Sequence, residues 1–341
     1  MTGEIDDTSL RADLGALGTD LRLAEAATSL RDGTLVTDKA EYGFDALVVA
    51  TGATPVRLPG PGPQRVLRTF DHAAALRSVL RPGLRLAVVG AGWIGAELAT
   101  SAARRGCEVT VVEAAPAPVA GALGAEAGSR TVPWYAAAGV DLRLGQPVAS
   151  VEQGGLALPD GGWLAADEVV TAVGVRPEVG WLAGSGLLLD NGVAVDEGLR
   201  ASVPGVFAAG DCAAFLSGRF GRRLRVEHWD SAIHAPEVVA ANVLGGEERY
   251  DPVPYFWSEQ FGRMVQYCGQ HSGSDRLLWR GDSGGREWTA CWLDGDRLTA
   301  VLAVSRPRDL LQGRRLIAAG TAVDPARLAD PAVPLRDATA G

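Results

Sequence analysis

Residues 86–99 read LAVVGAGWIGAELA. An apolar strand runs into Gly90, Gly92 and Gly95 at G-x-G-x-x-G spacing, then into a helix of small residues. This pattern reads as the turn that takes the pyrophosphate of a dinucleotide. Gly90 permits the tight turn, Gly92 lets the backbone approach the phosphates, and Gly95 lets helix and strand pack closely. The helix N-terminus presents amide groups and the positive end of its dipole to the anion. The glycines alone are a weak signal, and their place between a strand and a helix is what makes it specific. Strand 86–90, helix 93–105 and strand 108–113 complete a β-α-β unit of 28 residues. Glu113 ends its second strand, 23 residues after Gly90. A carboxylate there accepts hydrogen bonds from ribose hydroxyls and repels a 2′-phosphate. No arginine follows within residues 114–117, so NADH is expected rather than NADPH.

Composition bounds the rest. A chain of 341 residues with 47% hydrophobic and 21% charged residues is long enough for two or three globular domains. The net charge of −9 speaks against nucleic acid or an anionic membrane as the main partner. No apolar run approaches the ~18 residues of a membrane span. The opening MTGEIDDTSL is acidic and has no signal-peptide pattern, so a cytoplasmic location is expected. Cys107, Cys212, Cys268 and Cys291 form no C-x-x-C pair and no metal-ligand spacing with the four histidines. Four reduced thiols and no metal are expected.

Outward from the first motif, residues 19–50 read as short strands with a hairpin-type turn at Asp32-Gly33. Residues 71–80 read as a helix stopped by Arg81-Pro82-Gly83. A helix over 125–138, a strand over 140–145 and a polar meander closing near Gly174 follow. After residue 250 prolines and aromatics gather, and alternating strand patterns such as WTACWLDGDRLTAVLAV (288–304) indicate a separate α+β domain. Two more segments, VVATGATP (48–55) and VPGVFAAGDCA (203–213), are apolar strands ending in glycine beside a small polar residue. Glycine lets a cofactor lie against the backbone, and Asp211, after Gly210, suits a ribityl hydroxyl. Either segment alone reads equally well as a plain strand end. Flanking the β-α-β unit in this order, they indicate a second dinucleotide, a flavin.

These segments resemble the FAD-dependent pyridine nucleotide reductases, and within them the NADH:ferredoxin reductases that serve Rieske dioxygenases and haem-thiolate monooxygenases. The resemblance runs through G-x-G-W-I-G-x-E (90–97), DEVVTAVGVRP (167–177), NGVAVDEGLRASVPGVFAAGD (191–211) and RVEHWDSAIHAPEVVAANVLG (225–245). Its most specific stretches are VPYFWSEQFGRMVQYCG (253–269) and SRPRDLLQGRRLI (305–317). It implies an α/β fold with two Rossmann-like FAD- and NAD(P)-binding domains and a C-terminal α+β reductase domain. The FAD domain is expected at 1–66 and 186–249, the NAD domain at 67–185 and the C-terminal interface domain at 250–341. The resemblance places Ala27 near the adenine, Thr51 and Gly52 at the flavin cavity, and Arg68 at the FAD phosphates. It places Gly174 and Gly210 at the cofactors, Asp211 on the ribityl chain, and the Trp229 backbone N–H on the isoalloxazine. Trp257 is expected over the flavin edge, and Glu97 facing the nicotinamide.

The family's own N-terminal β-α-β unit, which holds the ADP part of FAD, has no counterpart in this sequence, nor has its P-x-L-S-K segment. MTGEID matches the family beyond that unit. Either the coding start lies upstream, or the chain is shortened and holds FAD weakly or not at all. The C-terminal half lacks the His-x-x-x-x-Glu pair of the disulfide reductases, since His271 has no matching glutamate.

The implied reaction is hydride transfer from NADH to FAD, then release of single electrons to a [2Fe-2S] ferredoxin. Ferredoxins are generally acidic, so docking on an acidic reductase calls for a local basic patch. The clusters Arg219, Arg222, Arg223, Arg225 and Arg306, Arg308, Arg314, Arg315 are the candidates. The alternatives are another NADH-dependent flavoenzyme, such as an NADH oxidase or a rubredoxin or nitrite reductase component, and a flavin-free NADH-binding remnant.

Overall fold

The computed structural model describes residues 12–340. They form two compact units, one of residues 55–175 with 255–340, the other of residues 12–54 with 176–254.

The first unit contains a four-stranded parallel sheet in the order Glu168–Thr171, Arg85–Val89, Glu108–Val112, Asp141–Arg143. A parallel sheet covered on both faces needs continuous apolar strands, and RLAVV is buried at every position after Arg85. The helix Trp93–Arg104 buries Gly95, Ala96, Leu98, Ala99 and Ala102. These mostly small side chains bring its axis close to the strands. Leu86, Val88, Leu98, Val109, Val111 and Tyr135 share one core, each worth roughly 1.5–3 kcal/mol of transfer free energy when fully buried.

The helix expected over 125–138 is two helices, Ala120–Ser129 and Val132–Ala137. Pro133 stands in the first turn of the second, where its missing N–H and fixed φ start a helix rather than continue one. Gly124, at φ +77°, also kinks the first.

The C-terminal part of this unit is a five-stranded antiparallel sheet in the order Tyr255–Gln260, Arg263–Gly269, Arg297–Val304, Trp288–Asp294, Arg276–Arg280. The helix Pro307–Ala319 packs on its two central strands and ends at Gly320 in the left-handed region. The helix Trp93–Arg104 ties the two sheets into one unit. Trp93 meets Phe256 at 4.7 Å between ring centroids. Glu97 accepts the Ser258 hydroxyl at 2.6 Å. The Thr100 hydroxyl oxygen accepts the Phe261 N–H at 2.9 Å. Positions 93, 97 and 100 share one helix face, and 256 and 258 share one strand face.

The second unit holds an antiparallel meander of Ala27–Arg31, Thr34–Thr37 and Glu41–Gly43. Leu47–Val49 lies parallel to Val206–Ala208. Val193–Val195 lies parallel to Ala213–Ser217, which pairs antiparallel with Arg222–Leu224. The core gathers Val49, Leu182, Leu199, Phe207, Phe215 and Tyr250.

The compact units divide at 54/55, 175/176 and 254/255, where the sequence reading set boundaries at 66/67, 185/186 and 249/250. Residues 55–66 are held in the first unit by Gly62 N–H on Val151 O and Arg65 N–H on Val169 O, both 2.9 Å. Residues 176–185 are held in the second by Glu178 N–H on Gly52 O and by buried Leu182.

Candidate active site

The three glycines of the first unit's turn differ in what surrounds them. Gly90 has φ +102°, and a Cβ there would meet Ala172 O at 2.4 Å. A Cβ on Gly95 would meet Gly90 O at 2.0 Å, so this glycine is fixed by helix–strand contact. Gly92 differs: a Cβ there would project into open space. That space belongs to a cavity of about 490 Å³ lined among others by Gly92, Trp93, Glu113, Val119, Gln146 and Gly174. The helix begins at Gly92 with no side-chain cap, which leaves its first amides for an anion. A pyrophosphate therefore fits against Gly92.

Glu113 lines the same cavity and accepts two backbone amides, Ala91 N–H at 2.6 Å on Oε2 and Ala115 N–H at 2.8 Å on Oε1. Each carboxylate oxygen retains a second lone pair for a ribose hydroxyl. None of the described lining residues is basic. Gly174, at φ +100°, lines the wall from the sheet strand Glu168–Thr171 onward and accepts Val56 N–H.

Glu97 lies one turn beyond Trp93, partly buried against the C-terminal sheet. Burial pushes its carboxyl above the usual carboxylate range, the Ser258 hydrogen bond pulls it back, and the charge of Glu259 pushes it up. Trp257, on the opposite face of the strand from Ser258, is 41% exposed and stacks on Tyr255. Arg68 belongs to the first unit, just before the N-cap Thr69 of the helix Phe70–Val79.

In the second unit the register Leu47↔Val206, Val48↔Phe207, Val49↔Ala208 sends two parallel strands out side by side. Thr51-Gly52 and Gly210-Asp211 follow at their C-terminal ends, where α/β sheets bind ligands. Gly52 and Gly210 have φ +70° and +71°, and a Cβ on Gly210 would meet open space. A flavin nucleotide fits against that edge. The Thr51 hydroxyl donates to Glu178 O at 2.6 Å. Ala27 opens the first strand of the meander, and Trp229, 65% exposed, is the first residue of the helix Trp229–Val243.

Several residues around these sites were not singled out from sequence. Trp93 and Gln146 line the cavity. Val119 takes φ +49° and donates its N–H to Ala91 O at 2.9 Å, closing the glycine turn from the far side. Ser258 and Gln260 stand behind Glu97. The alternation within FWSEQ, Trp257 and Glu259 outward and Phe256, Ser258 and Gln260 inward, was the available signal for these two.

The arginines divide by their partners. Arg223 donates to Val195 O and Ala214 O, and Arg225 pairs with Glu227 and donates to Asp211 O. Arg219 donates its N–H to Asp251, and Arg306 pairs with Asp309. Arg222 is exposed on the Arg222–Leu224 strand. Arg314 lies over the Tyr255 ring at 5.2 Å. Arg308, Leu311 and Arg315 are exposed along one face of the helix Pro307–Ala319. All four cysteines are buried and free. No helix among the described residues is long and apolar enough to cross a membrane.

Comparison with known proteins agrees with this geometry. Residues 14–235 match the pyridine nucleotide-disulphide oxidoreductase family, and residues 255–339 match the reductase C-terminal domain. The ferredoxin–NAD(+) reductase component of the anthranilate 1,2-dioxygenase system of Burkholderia cepacia is 36% identical over 308 residues, covering 88% of this chain and 76% of the relative. The crystal structure of Fdr9 superposes with a TM-score of 0.94 at 49% identity, covering 98% of this chain and 86% of that one. The reductase in the covalent putidaredoxin reductase–putidaredoxin complex superposes with a TM-score of 0.87 at 30% identity, covering 92% and 79%. With the family match spanning both units, and the glycine turn, Glu113 and the paired strand ends in place, the chain belongs to the pyridine nucleotide-disulphide oxidoreductase family.

Proposed function

We propose that the chain is an NADH-dependent FAD reductase that delivers electrons to a [2Fe-2S] ferredoxin of an oxygenase system in the cytoplasm. The observation that carries the reading is the cavity beside Gly92, with open space where the glycine lacks a side chain and Glu113 on its wall. In this reading Gly92 and the first helix amides hold the pyrophosphate, and Glu113 holds the ribose. Glu97 faces the nicotinamide. Thr51, Gly52, Gly210 and Asp211 hold the flavin in the second unit, with Ala27 and the Trp229 amide as further contacts. The first unit then unites the NAD domain with the C-terminal domain, and the second carries the FAD domain. When bound, FAD supplies acceptance of a hydride and release of single electrons. The chain's own residues bind, orient and exclude water, and hydride transfer asks no acid or base of them.

The named relatives support the acceptor assignment: one is a ferredoxin–NAD(+) reductase component, another a reductase captured with putidaredoxin. Arg308 and Arg315 with Arg314 beside Tyr255 and Trp257 form the basic and aromatic surface for such a partner. Arg219, Arg222 and Arg223 are the second candidate patch.

The test is the visible spectrum of the purified 341-residue chain before and after anaerobic NADH, followed by ferredoxin reduction. Flavin bands that bleach, and electrons that reach ferredoxin, are expected. A chain that stays colourless after incubation with FAD refutes the proposal for this polypeptide. A yellow chain that bleaches yet reduces only oxygen makes it an NADH oxidase.

A further inference from the structure

We infer that Ser258, itself held by Gln260, is a positioning residue for the Glu97 carboxyl, and that this carboxyl separates oxidised from reduced nicotinamide dinucleotide. The inference rests on the reading of the Gly92–Glu113 cavity as a dinucleotide site.

Ser258 and Gln260 are each 1% exposed. The Gln260 side-chain amide donates to Ser258 Oγ at 3.1 Å, and the Ser258 hydroxyl donates to Glu97 Oε1 at 2.6 Å. A serine hydroxyl has one proton, so the chain of bonds runs one way, from amide to hydroxyl to carboxyl. Oε1 is thereby fixed as an acceptor, and a proton taken up by Glu97 goes to Oε2. Trp93 lines the cavity, and Glu97 lies one turn further along the same helix face. Trp93 is braced by Phe256 as Glu97 is braced by Ser258. A carboxyl held against packed residues costs desolvation that a leucine or glutamine of similar size avoids. A carboxyl at that cost suits a charge-dependent use.

The nicotinamide ring is cationic in the oxidised dinucleotide and neutral in the reduced one. An ionised carboxylate beside the ring attracts the first and is indifferent to the second. A protonated one favours neither. Preference for the oxidised form therefore follows the ionisation of Glu97, which burial and Glu259 oppose and the Ser258 hydroxyl supports. Glu259, on the facing strand, is paired with Arg104 at 3.5 Å. Tyr255 is the other titratable group on that strand. From the sheet strands packed on the helix, Arg85 and Glu108 stand at the strand starts, the end away from the glycine turn.

The experiment measures binding of NAD+ and of tetrahydro-NAD, a neutral analogue that cannot deliver hydride, to the full chain by calorimetry from about pH 5 to 9, around and above ordinary carboxylate titration. Taking the ratio of the two dissociation constants cancels titrations the ligands share. The preference for NAD+ is expected to rise with pH as one group loses its proton. Ser258→Ala removes a donor that favours the charged form, so the rise moves to higher pH and NAD+ affinity at neutral pH falls about tenfold. Ser258→Thr restores the profile, and Glu97→Gln makes the ratio flat. If Ser258→Ala does not fold, Glu97→Gln, which keeps the size and the Ser258 bond, carries the test. A flat ratio in the unaltered chain, or a Ser258→Ala profile that coincides with it, overturns the inference while leaving the cavity reading intact. Failure of both ligands to bind overturns the cavity reading itself.

Discussion

Glu113 reaches back across the glycine turn to accept the Ala91 amide at 2.6 Å, while its other oxygen takes the Ala115 amide at 2.8 Å. One carboxylate thus fixes the turn that would hold the pyrophosphate and stands on the wall where the ribose would lie. Glu113→Ala leaves two partly buried amides without that acceptor, a cost of about 1–3 kcal/mol, and removes the charge that repels a 2′-phosphate. The expected outcome is a lower melting midpoint together with a fall of about tenfold in the ratio of kcat/KM for NADH over NADPH, a change of one hydrogen bond to a charged group. Ferricyanide reduction with each dinucleotide measures it. An unchanged ratio removes Glu113 from ribose recognition.

Gly92 and Gly95 belong to one motif, yet substitution separates them. The Gly95 hydrogen faces Gly90 O, and a methyl there would lie 2.0 Å from that backbone atom. Gly95→Ala must push helix from strand, with a loss of about 1–3 kcal/mol seen as earlier thermal unfolding. Gly92 has φ −72°, which any residue adopts, and open space beyond it. Gly92→Ala is expected to melt with the unaltered chain and to bind NADH at least about tenfold more weakly, because the methyl stands where phosphate approaches. Equal thermal losses in both variants would contradict the assignment of the cavity.

The contrast shows what the chain made legible. The β-α-β unit was readable because a strand buried on both faces, a glycine turn and a small-residue helix are all local patterns. Strand ends at Thr51-Gly52 and Gly210-Asp211 were readable one by one, while their adjacency depends on a parallel register between residues 159 positions apart. The union of the dinucleotide sheet with the C-terminal sheet was not readable. It rests on Trp93 with Phe256, Glu97 with Ser258, and Arg263 over Trp134 at 4.8 Å, pairs that no periodicity links. The segment 55–66 reads as part of the flavin domain, whereas backbone bonds to Val151 and Val169 and the Arg65–Glu168 ion pair, partners about 90–100 residues away in sequence, hold it in the first unit. The helix over 125–138 reads as one because its alanines favour helix, while Pro133 starts a new one.

Arg280 offers a test of the C-terminal domain apart from any cofactor. It is 2% exposed, pairs with Asp309 at 3.1 Å, and donates to Leu328 O, Asp330 O and Val333 O. Asp309 in turn accepts from Thr289 and Arg306. One buried guanidinium thereby fastens the segment 328–333 to the sheet. Arg280→Met leaves Asp309 and four carbonyls, Pro331 O included, short of donors, and breaking such a buried pair costs about 3–5 kcal/mol. Calorimetric unfolding should show an earlier transition, while NADH affinity stays as it was. A loss of affinity with no loss of stability would contradict this role.

The surface that carries electrons onward is testable by charge. Arg308 and Arg315 stand seven residues apart on the exposed face of the helix Pro307–Ala319, with Leu311 between them, 52% exposed. Arg314 on the same helix covers Tyr255, which stacks on the exposed Trp257 at 5.8 Å. Cations around an apolar and aromatic patch suit an acidic partner, and the net charge of −9 makes this patch stand against the field of the whole chain. Rim charges act chiefly on association rate and are screened over about 8–10 Å at physiological salt. Arg308→Glu with Arg315→Glu should therefore lower kcat/KM for ferredoxin by about tenfold or more at low salt, flatten its salt dependence, and leave ferricyanide reduction unchanged. Charge reversal at Arg219 and Arg222 gives the comparison from the other candidate patch. Should that second pair alone lower ferredoxin reduction, docking belongs to the second unit. If neither pair alters the salt dependence, steering by arginine is refuted for both surfaces.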